Sequence, residues 1–247
     1  MTLRLLTYNI KRGGAGREEQ LSAVVAECRP DIVVLQESRT PAVVEKIARA
    51  TGMAGWGARD GESLGYLSAR PMTRAEWHRP RFSRHAFLEL VPEAFPLRVF
   101  GVHLSAVHSA WTERRRTIEL RALLTGIKQH QSGFHVLAGD FNTLAPGELL
   151  DIRKLPHRLK ALVWLSGGRI RWRTIQVILD AGYADGYRML HGEEAGHTFP
   201  TWDPHVRLDY VFLPTSQAQR LTSCEIVKSP AARDASDHYP LLATIEV

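Results

Sequence analysis

The densest chemistry in the chain lies in eight residues, His135-Val136-Leu137-Ala138-Gly139-Asp140-Phe141-Asn142. Val136 to Ala138 predicts a short buried strand that stops at Gly139 and leaves a carboxylate and a carboxamide, two positions apart, at its carboxyl end. If the strand conformation continues, both side chains point the same way, and α/β folds gather binding groups at such strand ends. The plain alternative is an Asx turn, because Gly-Asp and Asn are ordinary turn residues. The same placement recurs for Asn9, Glu37, His103, Asp209, Asp237 and His238, each at or beside the end of a predicted strand. Each has an ordinary reading too: Glu37 as a helix cap, His103 as a core histidine, Asp209 as an ion-pair partner of Arg207, Asp237-His238 as a turn cap. Eight such residues at strand ends point to one polar site.

The elements that must position these groups follow from periodicity. Leu3 to Ile10 is apolar on both alternating faces, as a central strand buried on both sides is. Gly13-Gly14-Ala15-Gly16 then breaks the backbone, and Leu21, Val24, Val25 and Cys28 recur at helical spacing up to Pro30. Ile32 to Leu35 predicts a second buried strand and Val99 to His103 a third. Helices are predicted over Pro41 to Thr51 and from Thr112 to Gln129, the latter with Leu120, Leu123, Leu124 and Ile127 inside. Strands over Leu208–Leu213, Glu225–Val227 and Leu241–Val247 close the chain.

The 247 residues, 44% of them hydrophobic, suffice for a full core, and a single domain over residues 1–247 is expected. Cys28 and Cys224 supply neither a disulfide framework nor metal spacing, which suits a reduced, cytoplasmic setting. Cys28 falls at an apolar helical position and reads as a core thiol. No apolar run reaches transmembrane length. The net charge of +6 favours an anionic partner. Most of it resides in residues 143–175, a basic, Trp-containing insertion or arm with seven Lys/Arg against two acids and with Trp164 and Trp172 among the cations.

Thr7-Tyr8-Asn9-Ile10, Gln36-Glu37, Val102-His103-Leu104, Gly139-Asp140-Phe141-Asn142, Arg207-Leu208-Asp209-Tyr210 and Ser236-Asp237-His238-Tyr239-Pro240 resemble, in order, the motifs of the endonuclease/exonuclease/phosphatase superfamily, the DNase I-like fold. The resemblance spans residues 7–240. It implies an α/β (α+β) fold, a four-layer α/β/β/α sandwich with two mixed sheets face to face and helices outside, and metal-dependent hydrolysis of a phosphate ester.

Asn9, Glu37 and Asp237 offer hard oxygen ligands of the kind that suit Mg²⁺ or Mn²⁺. His238 is the candidate general base for water, and the resemblance gives Asp209 the task of orienting its imidazole. Asp140 would orient the attacking water, while Asn142 and His103 would donate to non-bridging phosphate oxygens. Lys11 stands where the abasic-site endonucleases of this superfamily carry a carboxylate, and they carry a Tyr in the region where this chain has Val102-His103-Leu104. His103 fits the DNase I-like and sphingomyelinase-like branches better. Arg70 and Arg116, near positions where the family often has arginine, read as structural ion pairs. In the arm, Arg169, Arg171, Arg173 and Trp172 suit a phosphate backbone with base stacking. An amphipathic helix on an anionic membrane and a solvated face covering the sandwich are the other readings of that composition.

The expectation is therefore a monomeric, Mg²⁺- or Mn²⁺-dependent DNA nuclease. A phospholipid or small-molecule phosphodiesterase or phosphatase, with peripheral membrane contact, is the alternative, and an inactive nucleic-acid-binding module the third reading.

Overall fold

The computed structural model describes residues 1–81, 83–106, 109–128, 133–155, 157–165 and 172–247. In chain order the strands are β1 (Thr2–Asn9), β2 (Ile32–Gln36), β3 (Gly55–Gly57), β4 (Leu64–Ser68), β5 (Met72–His78), β6 (Phe87–Pro92), β7 (Leu97–His103), β8 (Phe134–Asp140), β9 (Tyr183–Asp185), β10 (Asp209–Pro214), β11 (Leu221–Ile226) and β12 (Leu241–Glu246). The helices are α1 (Glu18–Cys28), α2 (Pro41–Thr51), α3 (Ala110–Lys128), α4 (His157–Leu165), α5 (Thr174–Asp180), α6 (Gly186–His191) and α7 (Pro230–Ala235).

Among the described residues the strands form two six-stranded sheets, β11-β12-β1-β2-β4-β3 and β5-β6-β7-β8-β10-β9. Each is mixed, with one parallel pair in its interior: β1 beside β2, connected through α1, and β7 beside β8, connected through α3. A parallel pair needs a long crossover, and a helix supplies it. Leu3, Leu5, Ile32 and Val34 of one sheet meet Leu88, Val99, Val136, Ala138 and Val211 of the other in the central core. On the outer face of the first sheet, Leu6, Tyr8, Val33 and Leu35 pack on α1, α2 and α7; on that of the second, Phe100, Leu137 and Phe212 pack on α3 and α5. The four-layer sandwich expected from the motifs is the fold observed.

The doubly buried strands agree with the sequence: β1 is apolar on both alternating faces, and β2 and β8 contain continuous apolar runs. The helix over Pro41–Thr51 also agrees, with Pro in its first turn and Gly52 closing it at φ 66°. The expected helix from Thr112 appears as α3, its Leu120, Leu123, Leu124 and Ile127 all buried, although the predicted end at Gln129 lies outside the described residues. Strands β3 to β6 were not anticipated. Gly55-Trp56-Gly57 is too short to show a period, and β5 alternates charged and half-buried residues as an edge strand does.

Residues 143–175 start as a loop, add α4 and run into α5, and Glu113 of α3 holds this segment down. Its carboxylate accepts from Arg173 N (2.6 Å), Thr174 N (2.7 Å) and Thr174 Oγ1 (2.8 Å), capping α5, and also from Thr143 Oγ1 (2.8 Å) and Arg116 Nη2 (3.0 Å). Arg116 is fully buried, so the structural ion pair expected of it is present; Arg70 instead lies over the Phe95 ring. Burial opposes the Glu113 charge, but Arg116 and the N–H donors of Arg173 and Thr174 outweigh it and hold the carboxyl below its usual range.

Removing one partner of a buried pair costs about 3–5 kcal/mol, so Glu113→Ala should lower unfolding stability by that amount in urea melts at pH 7. A depressed carboxyl stabilises the fold above its unfolded pKa and loses that contribution as pH falls through its folded pKa. The gap between wild type and variant should therefore narrow in melts run below pH 4.5.

Candidate active site

The polar residues singled out in the sequence converge on one end of the sandwich. Asn9 ends β1, and Glu37 follows β2, whose Gln36 is in register with Asn9. His103 and Asp140 end the parallel strands β7 and β8 in register with each other. Asp209 opens β10 and pairs with Asp140 across the antiparallel ladder. Asp237 and His238 lie just before β12, which runs antiparallel to β1.

Asp140 is the hub. Its carboxylate accepts from Asn9 Nδ2 (3.0 Å), joining the two sheets, and from the main-chain N–H (2.8 Å) and Nδ2 (3.1 Å) of Asn142. Asn142 has left the strand: its φ is 52°, and the N–H bond to Asp140 is that of an Asx turn. Turn and site are thus the same feature. Asn142 Nδ2 also donates to Leu104 O (3.0 Å), so both N–H groups of the amide expected to contact phosphate are engaged here, and it holds Asp140 in place.

His238 Nδ1 bonds Asp209 Oδ2 at 2.9 Å, while its Nε2 faces Asp140 Oδ2 at 4.0 Å. Burial disfavours charge on the ring, but Asp209, then Asp140 and Asp237, outweigh it and raise the imidazole to about 10. Burial raises the Asp140 carboxyl to about 7, with His238 opposing and Asp209 adding to the shift. The ring lies between two carboxylates, both of which favour its charged form. The sequence expects His238 as the general base; the charges around it favour its protonated form, and Asp140 is the neighbouring carboxyl raised toward neutral pH. His103 Nε2 lies 3.9 Å from Asp140 Oδ2, and burial keeps this ring neutral.

Asp209 does not pair with Arg207. That arginine is buried against Asp185 (2.6 and 2.8 Å) and Glu148 (2.8 Å), which leaves Asp209 to His238. Several supporting residues were missed in the sequence. Ser236 Oγ donates to Asn9 O (2.6 Å), Thr201 N to Asp237 O (3.0 Å) and Thr201 Oγ1 to Ser236 O (2.9 Å), fixing the His238 segment against β1. The Phe199 ring lies 4.8 Å from the His238 ring, and His85 stacks on His103 at 4.9 Å. Ser236 stood inside a recognised motif. The others sit in loops without periodicity, and only the tertiary fold brings them here.

Of the four arm residues, the described ones are Trp172 and Arg173. Trp172 is half-buried and packs with Leu144, Val206 and Leu208, and Arg116 lies over its ring at 6.0 Å. Arg173 leads into α5 with an exposed side chain, whereas Arg169 and Arg171 lie outside the described residues.

A hard divalent cation fits the donors at the ends of β1 and β2. Asn9 Oδ1 and the Glu37 carboxylate are oxygen ligands on adjacent strands, at present held by the N–H groups of Lys11 (2.9 Å) and Arg12 (2.5 Å). Asp237 lies beside Lys11, with Oδ2 3.4 Å from Nζ. Asp140, Asp209 and His238 form a further cluster whose ligand atoms lie within 4.8 Å of one another, and Asp209 Oδ1 is buried without a hydrogen-bond partner.

The Endonuclease/Exonuclease/phosphatase family profile matches residues 6–238. No curated protein matches the sequence. Solved structures with the same fold include an AP endonuclease from Archaeoglobus fulgidus (18% identity, 99% of this chain and 100% of that one, TM-score 0.74). Another is the 3′ phosphatase NExo from Neisseria bound to a product DNA hairpin (18%, 99% and 100%, TM-score 0.73). A third is D. rerio TDP2 complexed with a single strand DNA product (21%, 100% and 99%, TM-score 0.70).

Gly139, one residue before the hub, has no room for a side chain: a Cβ there would drive into the main-chain carbonyl of Val102 on the neighbouring strand. Backbone cannot move aside as a side chain can. Gly139→Ala should therefore destabilise the protein by about 1–3 kcal/mol in thermal denaturation, and wild-type stability in that variant would mean that β7 and β8 are not packed this closely.

Proposed function

The chain belongs to the endonuclease/exonuclease/phosphatase family, and from that premise we propose that it is a divalent-metal-dependent phosphodiesterase that cleaves nucleic acid, DNA foremost. The observation that carries this reading is the buried Asp209–His238–Asp140 line with Asn9 alongside, at the joint end of both sheets. DNA as substrate is supported by the +6 net charge and by the DNA products held by the NExo and TDP2 structures.

Mg²⁺ or Mn²⁺ would be held by Asn9 and Glu37, with Asp237 nearby, and would supply positive charge that polarises the phosphoryl oxygen. The rest falls to side chains of this protein. Asp140 takes the proton of the attacking water, its carboxyl raised toward neutrality by burial and aimed by Asn9 and Asn142. His238, held protonated by Asp209, offers its Nε2–H to the negative charge that gathers on the phosphate during displacement. His103, neutral, adds an uncharged hydrogen bond on the same side. Neither cysteine takes part. Burial keeps Cys28 a thiol, pushed up to about 12, and Cys224 is shifted in the same direction.

Supercoiled plasmid, bis-p-nitrophenyl phosphate and sphingomyelin vesicles, each assayed with Mg²⁺, Mn²⁺ and EDTA, separate this reading from a lipid phosphodiesterase. EDTA-sensitive plasmid nicking is expected; vesicle hydrolysis with intact plasmid would overturn it. Loss of a positioned acid or base costs 10²- to 10⁴-fold, so Asp140→Asn and His238→Ala should each lower kcat by roughly that factor while retaining the wild-type circular dichroism spectrum. A His238→Ala variant at the wild-type rate would remove that residue from the mechanism.

A further inference from the structure

Beside the candidate site, on the face formed by the β1–α1 loop and α7, a cavity of about 380 Å³ is lined by Lys11, Arg12, Arg17, Arg233 and Trp202, among others. A second cavity of about 480 Å³ shares Arg233 and Asp234 with it and extends to Lys228. Together they form a continuous groove with five cations and, as its one lining acid, Asp234. We propose that this groove is a binding site for the phosphodiester backbone of a single strand of nucleic acid as it leaves the candidate active site; the proposal rests on the nuclease reading above.

The groove begins where the chemistry is placed. Lys11 Nζ lies 3.4 Å from Asp237 Oδ2, and the Lys11 N–H bonds Asn9 Oδ1. Lys11 and Arg12 hold left-handed φ values of 50° and 49°, which residues with a Cβ seldom adopt. Glu37 keeps them there, with its carboxylate on Arg12 N and its carbonyl on Gly13 N (2.9 Å). The rim of the groove is therefore tied rigidly to Asn9 and Glu37.

Apart from Lys11, which pairs with Asp237, its cations keep their charge free. Arg17 directs its guanidinium to the carbonyls of Ile10, Lys11 and Ala235, joining the loop to the end of α7. These bonds satisfy its donors without cancelling its charge. Among the described residues, none of Arg12, Arg17, Arg233 and Lys228 has a carboxylate oxygen within the 4.0 Å ion-pair distance. By contrast, Arg153 and Lys154 of the basic arm pair with Asp151 and Asp203.

The shape selects the ligand. A bilayer is flat and is met by protruding residues, whereas a concave channel lined by cations tracks an extended polyanion. Trp202, 63% exposed at the rim, adds an aromatic face of the kind on which an unpaired base stacks.

The test is anisotropy titration of a fluorescein-labelled single-stranded oligonucleotide in EDTA, across a salt series, with wild type, Arg233→Ala/Lys228→Ala and Arg233→Lys. Each phosphate contact contributes about 0.7 to the slope of log K against log salt for a single strand, so the double alanine variant should lose about 1.4 of that slope. Its affinity at low salt should fall at least tenfold. Arg233→Lys should keep the slope, and an oligonucleotide with an uncharged methylphosphonate backbone should erase the difference between wild type and double variant. An unchanged slope in the double variant, with plasmid cleavage intact in wild type, would overturn the groove alone. A wild type that neither cleaves plasmid nor binds the oligonucleotide would overturn the nuclease reading with it. Loss of binding to phosphatidylserine vesicles with an unchanged oligonucleotide slope would overturn it in favour of a membrane surface.

Discussion

The interaction on which the rest depends is the buried carboxylate of Asp140. An ionisable group this deep is expensive unless its oxygens are hydrogen-bonded and a counter-charge is near. Here Asn9 reaches it from the opposite sheet, Asn142 wraps it in an Asx turn, and His238 faces it at 4.0 Å. These groups lie far apart in sequence, so satisfying one carboxylate requires both sheets to end at the same level. The site is less an addition to the sandwich than the polar closure of its open end.

The electrostatics follow from that closure. Two carboxylates on either side of one imidazole favour its protonated form, and burial raises the Asp140 carboxyl to about 7. A reading based on residue types names histidine as base because its unperturbed pKa suits the task. Burial and neighbouring charge shift both groups away from their unperturbed values, and neither is visible in composition.

Arginine serves two opposite purposes in this protein. Arg116 and Arg207 are fully buried and matched to carboxylates: Glu113 for the first, Asp185 and Glu148 for the second. They anchor the segment after β8 and the start of β10, and so fix the strand ends on which Asp140 and Asp209 sit. The arginines on the β1–α1 and α7 face are left without such partners. Counting charge along the chain locates basicity in residues 143–175, but where a charge is available to a ligand depends on what the fold sets beside it.

The sequence by itself determined the architecture and the inventory of the site. Leu3–Ile10, apolar on both alternating faces, and the apolar runs Ile32–Leu35 and Val136–Ala138 read as strands buried on both faces, with polar residues at their ends. Six ordered motifs named the family whose profile covers residues 6–238. The tertiary structure alone decided how those residues divide the work. It turned Asn142 inward to brace Asp140, gave Asp209 to His238 by engaging Arg207 elsewhere, set Trp172 beside Arg116, and brought Ser236, Thr201 and Phe199 against the His238 segment. The reason is physical: hydrophobic periodicity is a local property that a window of residues carries, whereas partner choice among polar groups is settled by distances of 3–4 Å between residues a hundred or more positions apart, as between Asn9 and Asp140.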